Sequence, residues 1–245
     1  MDIHKPKPWH SVREFLKEYL IIVIGVLTAL GAEQVVENLH WAKEVREAKA
    51  SIHKELVMAS VFGQERLARK ACIDAYLDEL AAAVAASPAQ WEPRSLDYCG
   101  LPHTAVYTGF WRPWPTEVWQ TIETGGAVPH FDANYRLQAP FVFNFIREIG
   151  ELSREERRLA TDLNPLGYRL SMTPDAKIAF LRTIAGIRAT SDWMAVYTRD
   201  LNGSIQELGE APTEAELKAM RATVPVLFLR PGVVVNGSPG PKPKT

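Results

Sequence analysis

The chain has 245 residues and a mass of 27.4 kDa, enough for one sizeable domain with appendages. Hydrophobic residues make up 47% and charged residues 23%, which excludes wholesale disorder, and a mean hydropathy of -0.13 excludes a polytopic membrane protein. With 28 Lys+Arg against 29 Asp+Glu the net charge is -1, so the clustered basic field that nucleic-acid binding needs is missing and no nucleic-acid partner is expected.

The first informative element is an uncharged run of 14 residues from Tyr19 to Ala32, carrying Tyr19, Ile21, Ile22, Val23, Ile24, Val26, Leu27 and Leu30. At 1.5 Å per residue it covers about 21 Å, short of a hydrocarbon core of about 30 Å. Extension to Phe15 and Val36 gives about 33 Å, with Lys17 and Glu18 at one boundary and Glu33 and Gln34 at the other. Lys17 can snorkel, and Tyr19 and Trp41 suit headgroup depth. A buried core helix and a cleaved signal peptide have similar lengths. The run is apolar all round rather than striped, however, and the helical pattern continues unbroken past Leu30-Gly31-Ala32 to Lys54. These features favour a single-span anchor over 19–36, preceded by a short segment 1–18. Lys5, Lys7, Arg13 and Lys17 stand before the run, against Lys43, Arg46 and Lys49 after it, and Glu33 and Glu37 adjoin its far end. The positive-inside rule therefore puts 1–18 in the cytoplasm and the remainder outside.

Phe15-Leu16-Lys17-Glu18-Tyr19 through Gly25-Val26-Leu27, then Ala32-Glu33-Gln34 and Leu39-His40-Trp41, resembles the N-terminal signature of a widespread group of bacterial single-span, membrane-anchored helical proteins of unknown function. Trp119-Gln120-Thr121 through Gly125-Gly126-Ala127 resembles a second element of that group. The two stretches touch about a fifth of the chain. The resemblance implies a membrane anchor and a helical domain and no chemistry; with the charge bias above, the expected place is a bacterial inner membrane with the domain in the periplasm.

The segment from Glu33 to Ser87 reads as helix, rich in Ala, Glu, Lys and Arg and without proline before Pro88. Val45, Ile52, Leu56 and Ala59 form one stripe, and Ile73, Leu77, Leu80 and Val84 a second. Segment 37–62 is expected to be an amphipathic stalk, with a parallel homodimer through it as the sharper alternative, and Gly63 to end or bend it before a helical domain over 63–224. Residues 88–115 form a proline- and tryptophan-rich insertion. Pro115 suits a first helical position, and Gly125-Gly126 close that short helix. Asp132 caps a helix to about Leu163 with a stripe at Val142, Phe145, Ile149, Leu152, Leu159 and Leu163, and Pro140 is expected to kink it. Thr173-Pro174 opens another, striped by Phe180, Ile184, Ile187, Met194 and Leu201 and ended by Asn202-Gly203. Thr213 to Glu216 is a capping box for a last helix to about Thr223, and 225–245 reads as an extended, disordered tail. The expected fold is all-α: an anchor, a stalk and an irregular bundle of four to five helices.

Three constellations carry potential chemistry. Cys72 and Cys99 suit a disulfide in an oxidising compartment, with two incidental thiols as the alternative; a bridge across the 27-residue interval stabilises by about 3.5 kcal/mol in the chain-entropy picture. Trp111, Arg112, Trp114 and Trp119 suit an interaction surface, and equally a plug that closes a small bundle. His103, Glu117, Glu123, His130 and Asp132 form the densest titratable cluster, yet no metalloprotease, nucleophile-elbow or phosphate-loop motif occurs, so no enzyme, cofactor or metal is expected. The functional expectation is a membrane-anchored interaction or scaffold module with a protein partner. The alternative is a ligand-binding, sensor-like domain with a pocket near Arg112 and Trp119.

Overall fold

The computed structural model describes residues 12–98, 101–103, 107, 109 and 111–223. The described residues form five helices: α1 (Val12–Ala85), α2 (Glu117–Thr124), α3 (Ala133–Asp162), α4 (Pro174–Leu208) and α5 (Glu214–Thr223). Four strands of two or three residues complete them: β1 (Gln90–Trp91), β2 (Leu96–Tyr98), β3 (Leu101–His103) and β4 (Leu170–Ser171). β1 pairs antiparallel with β4, Trp91 opposite Leu170, and β2 with β3. The fold is all-α, and the segment 225–245 lies outside the described residues.

The chain divides into two compact units, one ending at Ala48 and one beginning at Lys49. In the first, α1 is long and apolar enough to cross a membrane, and none of its most apolar window is buried. Tyr19, Ile21, Ile22, Ile24, Val26, Leu27 and Leu30 are all exposed and Val23 is half-buried. A core helix buries such side chains, so that reading of the run is set aside.

The second unit takes in residues that the sequence assigns to the stalk. Ile52, Leu56 and Ala59 are fully buried, and from Glu55 to Arg69 almost every side chain of α1 is enclosed. The domain core therefore starts near Ile52 rather than at 63. Gly63 does not end a helix, since α1 continues through it. It is instead a point of contact with α4: a Cβ there would lie 2.7 Å from Thr198 Cγ2. Ion pairs and hydrogen bonds set the directions of the other helices. Lys70 with Asp192 (2.6 Å) and Lys177 with the Ala85 carbonyl (3.3 Å) run α4 antiparallel to α1. Lys49 with Asp132 and Arg66 with Glu156 run α3 parallel to it.

Asp132 accepts from the Tyr135 N–H at 2.8 Å and Thr173 from the Ala176 N–H at 3.1 Å, the two expected caps. α2 starts two residues after Pro115, with Thr116 as its N-cap. The buried face of α3 is rotated from the expected stripe: Ala139, Val142, Phe143, Ile146, Ile149, Ser153, Glu156 and Ala160 are buried, while Phe145, Leu152 and Leu159 flank them half-exposed. Helix α4 passes Asn202-Gly203 and stops at Gly209, whose φ of 80° is the left-handed region only glycine enters freely. Ile205 and Leu208 keep burying apolar surface beyond Gly203, and this outweighs the roughly 1 kcal/mol cost of a helical glycine.

The largest core cluster joins Ile73, Leu77, Leu80 and Val84 of α1 to Ala160, Leu163, Leu166, Ile184 and Ile187. Trp91 closes its end, donating its indole N–H to the Leu166 carbonyl at 2.7 Å. A pair of glycines separates crowding from propensity. Thr198 is fully buried, and its hydroxyl donates to the Met194 carbonyl, so its methyl cannot yield to a new Cβ. Gly63→Ala is expected to destabilise by about 1–3 kcal/mol, whereas Gly203→Ala, with nothing within 4 Å, is expected to stabilise by about 0.5–1 kcal/mol. Equilibrium denaturation of the detergent-solubilised chain measures both.

Candidate functional site

The middle of α1 is apolar on most sides, yet it carries Glu55, Glu65, Arg66 and Arg69, all buried. Arg66 makes a two-pronged bond to Glu156 of α3, 3.0 Å from Nη1 to Oε2 and 2.8 Å from Nη2 to Oε1, with the side chains 3% and 0% exposed. The Tyr107 hydroxyl donates to the same carboxylate at 2.5 Å. Arg69 Nε lies 3.4 Å from Glu65 Oε1, and Arg112 Nε donates to Glu65 Oε2 at 2.9 Å. Planar guanidinium forks suit this packing of several acceptors in little space.

The network fixes the fate of the tryptophan-rich segment. Arg112, held by Glu65, stacks 5.2 Å over the Phe62 ring. Trp114 meets Phe62 edge-on at 6.1 Å and abuts Gly150, where a Cβ would come within 3.3 Å of its own. Trp111 is half-buried, with Arg157 5.1 Å over its ring, and Trp119, 4% exposed, stacks on Phe143 at 5.3 Å. Trp119 is buried and Trp111, Arg112 and Trp114 are half-buried against the bundle, the packing of a plug. Exposed aromatic area lies instead on α3 and α4. Phe141 and Trp193 are 61% and 55% exposed beside Leu137 and Val196, and Tyr197 touches both Phe145 (6.0 Å) and Trp193 (5.8 Å).

Trp119 also lines a half-open groove of about 420 Å³ between α2 and α3, with Phe143, Pro140 and Phe141 as apolar wall and Gln120, Asn144, Arg147 and Glu123 as polar rim. Arg112, expected beside it, is turned to Glu65. The groove offers a ligand an apolar wall and a rim of hydrogen-bonding groups.

The titratable cluster read from the sequence is dispersed. Glu117 opens α2, Glu123 rims the groove, His130 lies in the turn Val128–His130, and Asp132 caps α3 and pairs with Lys49 at 2.9 Å. The Tyr135 N–H and Lys49 hold the Asp132 carboxyl below its ordinary pKa. His103 ends β3. Among the described residues no three His, Cys, Asp or Glu are grouped as metal ligands. Cys72 packs half-buried against the main core, and Cys99 lies outside the described residues.

Two features escaped sequence reading. One is the Arg66–Glu156 pair; its signal is a glutamate on the buried face of α3, between Ser153 and Ala160. The other is His53, whose two ring nitrogens each lie 2.9 Å from a carboxylate oxygen, Nδ1 from Glu210 and Nε2 from Glu216. Glu55 also titrates unusually: burial, then the nearby Glu117, raise its pKa to about 7, opposed by the Val118 N–H. No family model, no curated protein and no solved structure matches the chain.

Glu156→Ala leaves Arg66 buried without its carboxylate and is expected to cost about 3–5 kcal/mol, while Arg66→Met with Glu156→Leu is expected to cost far less. Urea denaturation of the solubilised chain checks the order. The folded pKa of Glu55 stands above its unfolded value, so its proton stabilises the fold at low pH and that contribution is lost as pH rises from about 4.5 through about 7. Glu55→Gln should therefore raise the melting temperature at pH 8 relative to the wild type and change it little at pH 4.

Proposed function

We propose that the chain is a membrane-anchored helical interaction module, held by residues 19–36 in the inner membrane of a bacterium with its domain in the periplasm. The observation that carries this reading is the exposed, uncharged run Tyr19–Ala32 within the same unbroken helix that supplies the core of a well-packed domain. Arg13 and Lys17 before the run and Glu33 and Glu37 after it support the orientation. With Trp119 buried and Trp111, Arg112 and Trp114 partly packed away, the surface offered to a protein partner is that of Leu137, Phe141, Trp193 and Val196. A Cys72–Cys99 bridge belongs to the same reading, since a periplasmic domain folds where disulfides form.

The groove at Trp119 and Phe143 supports the second reading, a small-molecule binder. A binder's melting temperature rises with ligand concentration, so thermal-shift screening separates the two.

A reporter active only outside the cytoplasm, fused after Val57, is expected to be active, and one fluorescent only inside to be dark; the reverse pattern overturns the orientation. Ile24→Arg with Leu27→Arg, each costing about 2.5–3.5 kcal/mol at a span centre, is expected to move the chain to the soluble fraction. Mass spectrometry of the unreduced chain is expected to show the mass of one bridge, and two free thiols would remove both the disulfide and its support for the periplasm.

A further inference from the structure

The strongest unassigned arrangement is the contact of His53 with two carboxylates. A carboxylate oxygen only accepts, and a neutral imidazole has one N–H, so with two ionised partners 2.9 Å from its two nitrogens one contact would set acceptor against acceptor. Imidazolium, with two N–H donors, satisfies both. Glu216 is already committed as a carboxylate. Its Oε2 accepts from the Thr213 N–H at 2.8 Å and the Thr213 hydroxyl at 2.7 Å, and these bonds, with His53, lower its pKa to about 2.

The contact joins three elements. His53 stands on α1, Glu210 in the connection after α4, and Glu216 on α5. Helix α5 has ten residues, too few to be stable alone in water. Besides His53, it is held by Leu217 packed on Val61 and Phe62, with Met220 beside them, and by Arg221 donating to Gln64. Beneath it lies an apolar strip, Met58, Val61 and Phe62 with Trp114. The connection before it contains the left-handed Gly209, with open space around its Cα, a suitable hinge.

We propose that His53, Glu210 and Glu216 form a proton-governed latch: the imidazolium clamps α5 over the apolar strip of α1, and loss of its proton leaves two unneutralised carboxylates that release the helix. The other groups around the latch are Lys49, one turn earlier on α1 and paired with Asp132 at the start of α3, and Tyr135 of α3, whose hydroxyl faces Glu210. Burial, then Glu210, raise the pKa of that tyrosine, so it stays protonated. Partial burial works against the charged histidine, but Glu216 and Glu210 outweigh it and raise its pKa. A raised histidine stabilises the folded state below its unfolded pKa, and the contribution is lost as pH rises through the folded value, so the latch holds in acid and opens in base.

Hydrogen exchange of the full chain in detergent micelles, corrected for the intrinsic pH dependence, tests this at pH 6 and pH 8.5. Protection of 214–223 is expected to be lost in the wild type between the two values, while α3 and α4 keep theirs. His53→Gln is expected to show low protection at both values, and His53→Lys, charged at both, high protection at both. Because Glu55 titrates in the same range, Glu55→Gln is the control and is expected to keep the wild-type pH dependence. Unchanged wild-type protection overturns the latch, as does a Glu55→Gln variant that no longer responds to pH. A His53→Lys variant that loses protection as the wild type does also overturns it, and if that variant fails to fold, the wild-type and Glu55→Gln profiles decide.

Discussion

The domain is organised by the burial of charge on its central helix. Arg66 and Glu156 are among its most enclosed groups, and neither can be dry without the other. This requirement favours the register of α3 on α1 in which the two side chains meet. Glu65 extends the same constraint: it needs a second cation beside Arg69, Arg112 supplies it, and Arg112 carries the tryptophan-rich segment with it. Apolar packing fills the space around these pairs, but Val, Leu and Ile tolerate several registers, whereas a two-pronged guanidinium–carboxylate bond tolerates one. Such pairs add little net stability over well-packed apolar residues; their contribution is to specify which arrangement forms.

How much of this the sequence discloses follows from the kind of signal each element carries. Ile73, Leu77, Leu80 and Val84 read as a stripe and are a buried stripe; Asp132, Thr173 and Thr213 read as caps and cap their helices. These are local, with cause and effect a few residues apart. Glu55, Glu65, Arg66 and Arg69 carry no local sign of burial, because a charge is exposed unless a partner is known, and Glu156 lies 90 residues from Arg66. The boundary expected at Gly63, which α1 passes through, made the core begin late and the stalk too long. The aromatic segment was ambiguous for the same reason as the charges. Trp114 and Trp119 suit a plug or a docking face equally, and Phe62, Gly150 and Phe143, which decide between them, come from distant parts of the chain.

The rotated face of α3 shows a further limit. Counting apolar residues selects Val142, Ile149 and Leu163, which are buried, but also Phe145, Leu152 and Leu159, whereas the helix buries Phe143 and Ile146 and the small or polar Ala139, Ser153, Glu156 and Ala160 in their place. Close approach selects small residues and pairing selects charged ones. Phe145, Leu152 and Leu159 flank the contact, and on the outer side they continue into the exposed Phe141 and, across α4, Trp193.

The buried charges also bear on a problem peculiar to a helix like α1. Its early part is apolar enough to enter lipid, and its later part must present apolar residues to a protein core. A continuous helix apolar along both parts would offer the bilayer several alternative spans. Charged residues at a span centre cost about 2.5–3.5 kcal/mol each, and α1 carries Glu55, Glu65, Arg66, Arg69 and Lys70 within about four turns. In lipid they would lose the partners that other elements supply; in the domain Arg66, Glu65 and Lys70 find Glu156, Arg112 and Asp192. The same residues that fix the register of the bundle therefore exclude this stretch from a membrane, leaving Tyr19–Ala32 as the part of α1 suited to lipid. An apolar replacement of the network would keep the core dry and lose that distinction, which gives a physical reason for a central helix to bury ion pairs where leucine would pack as well.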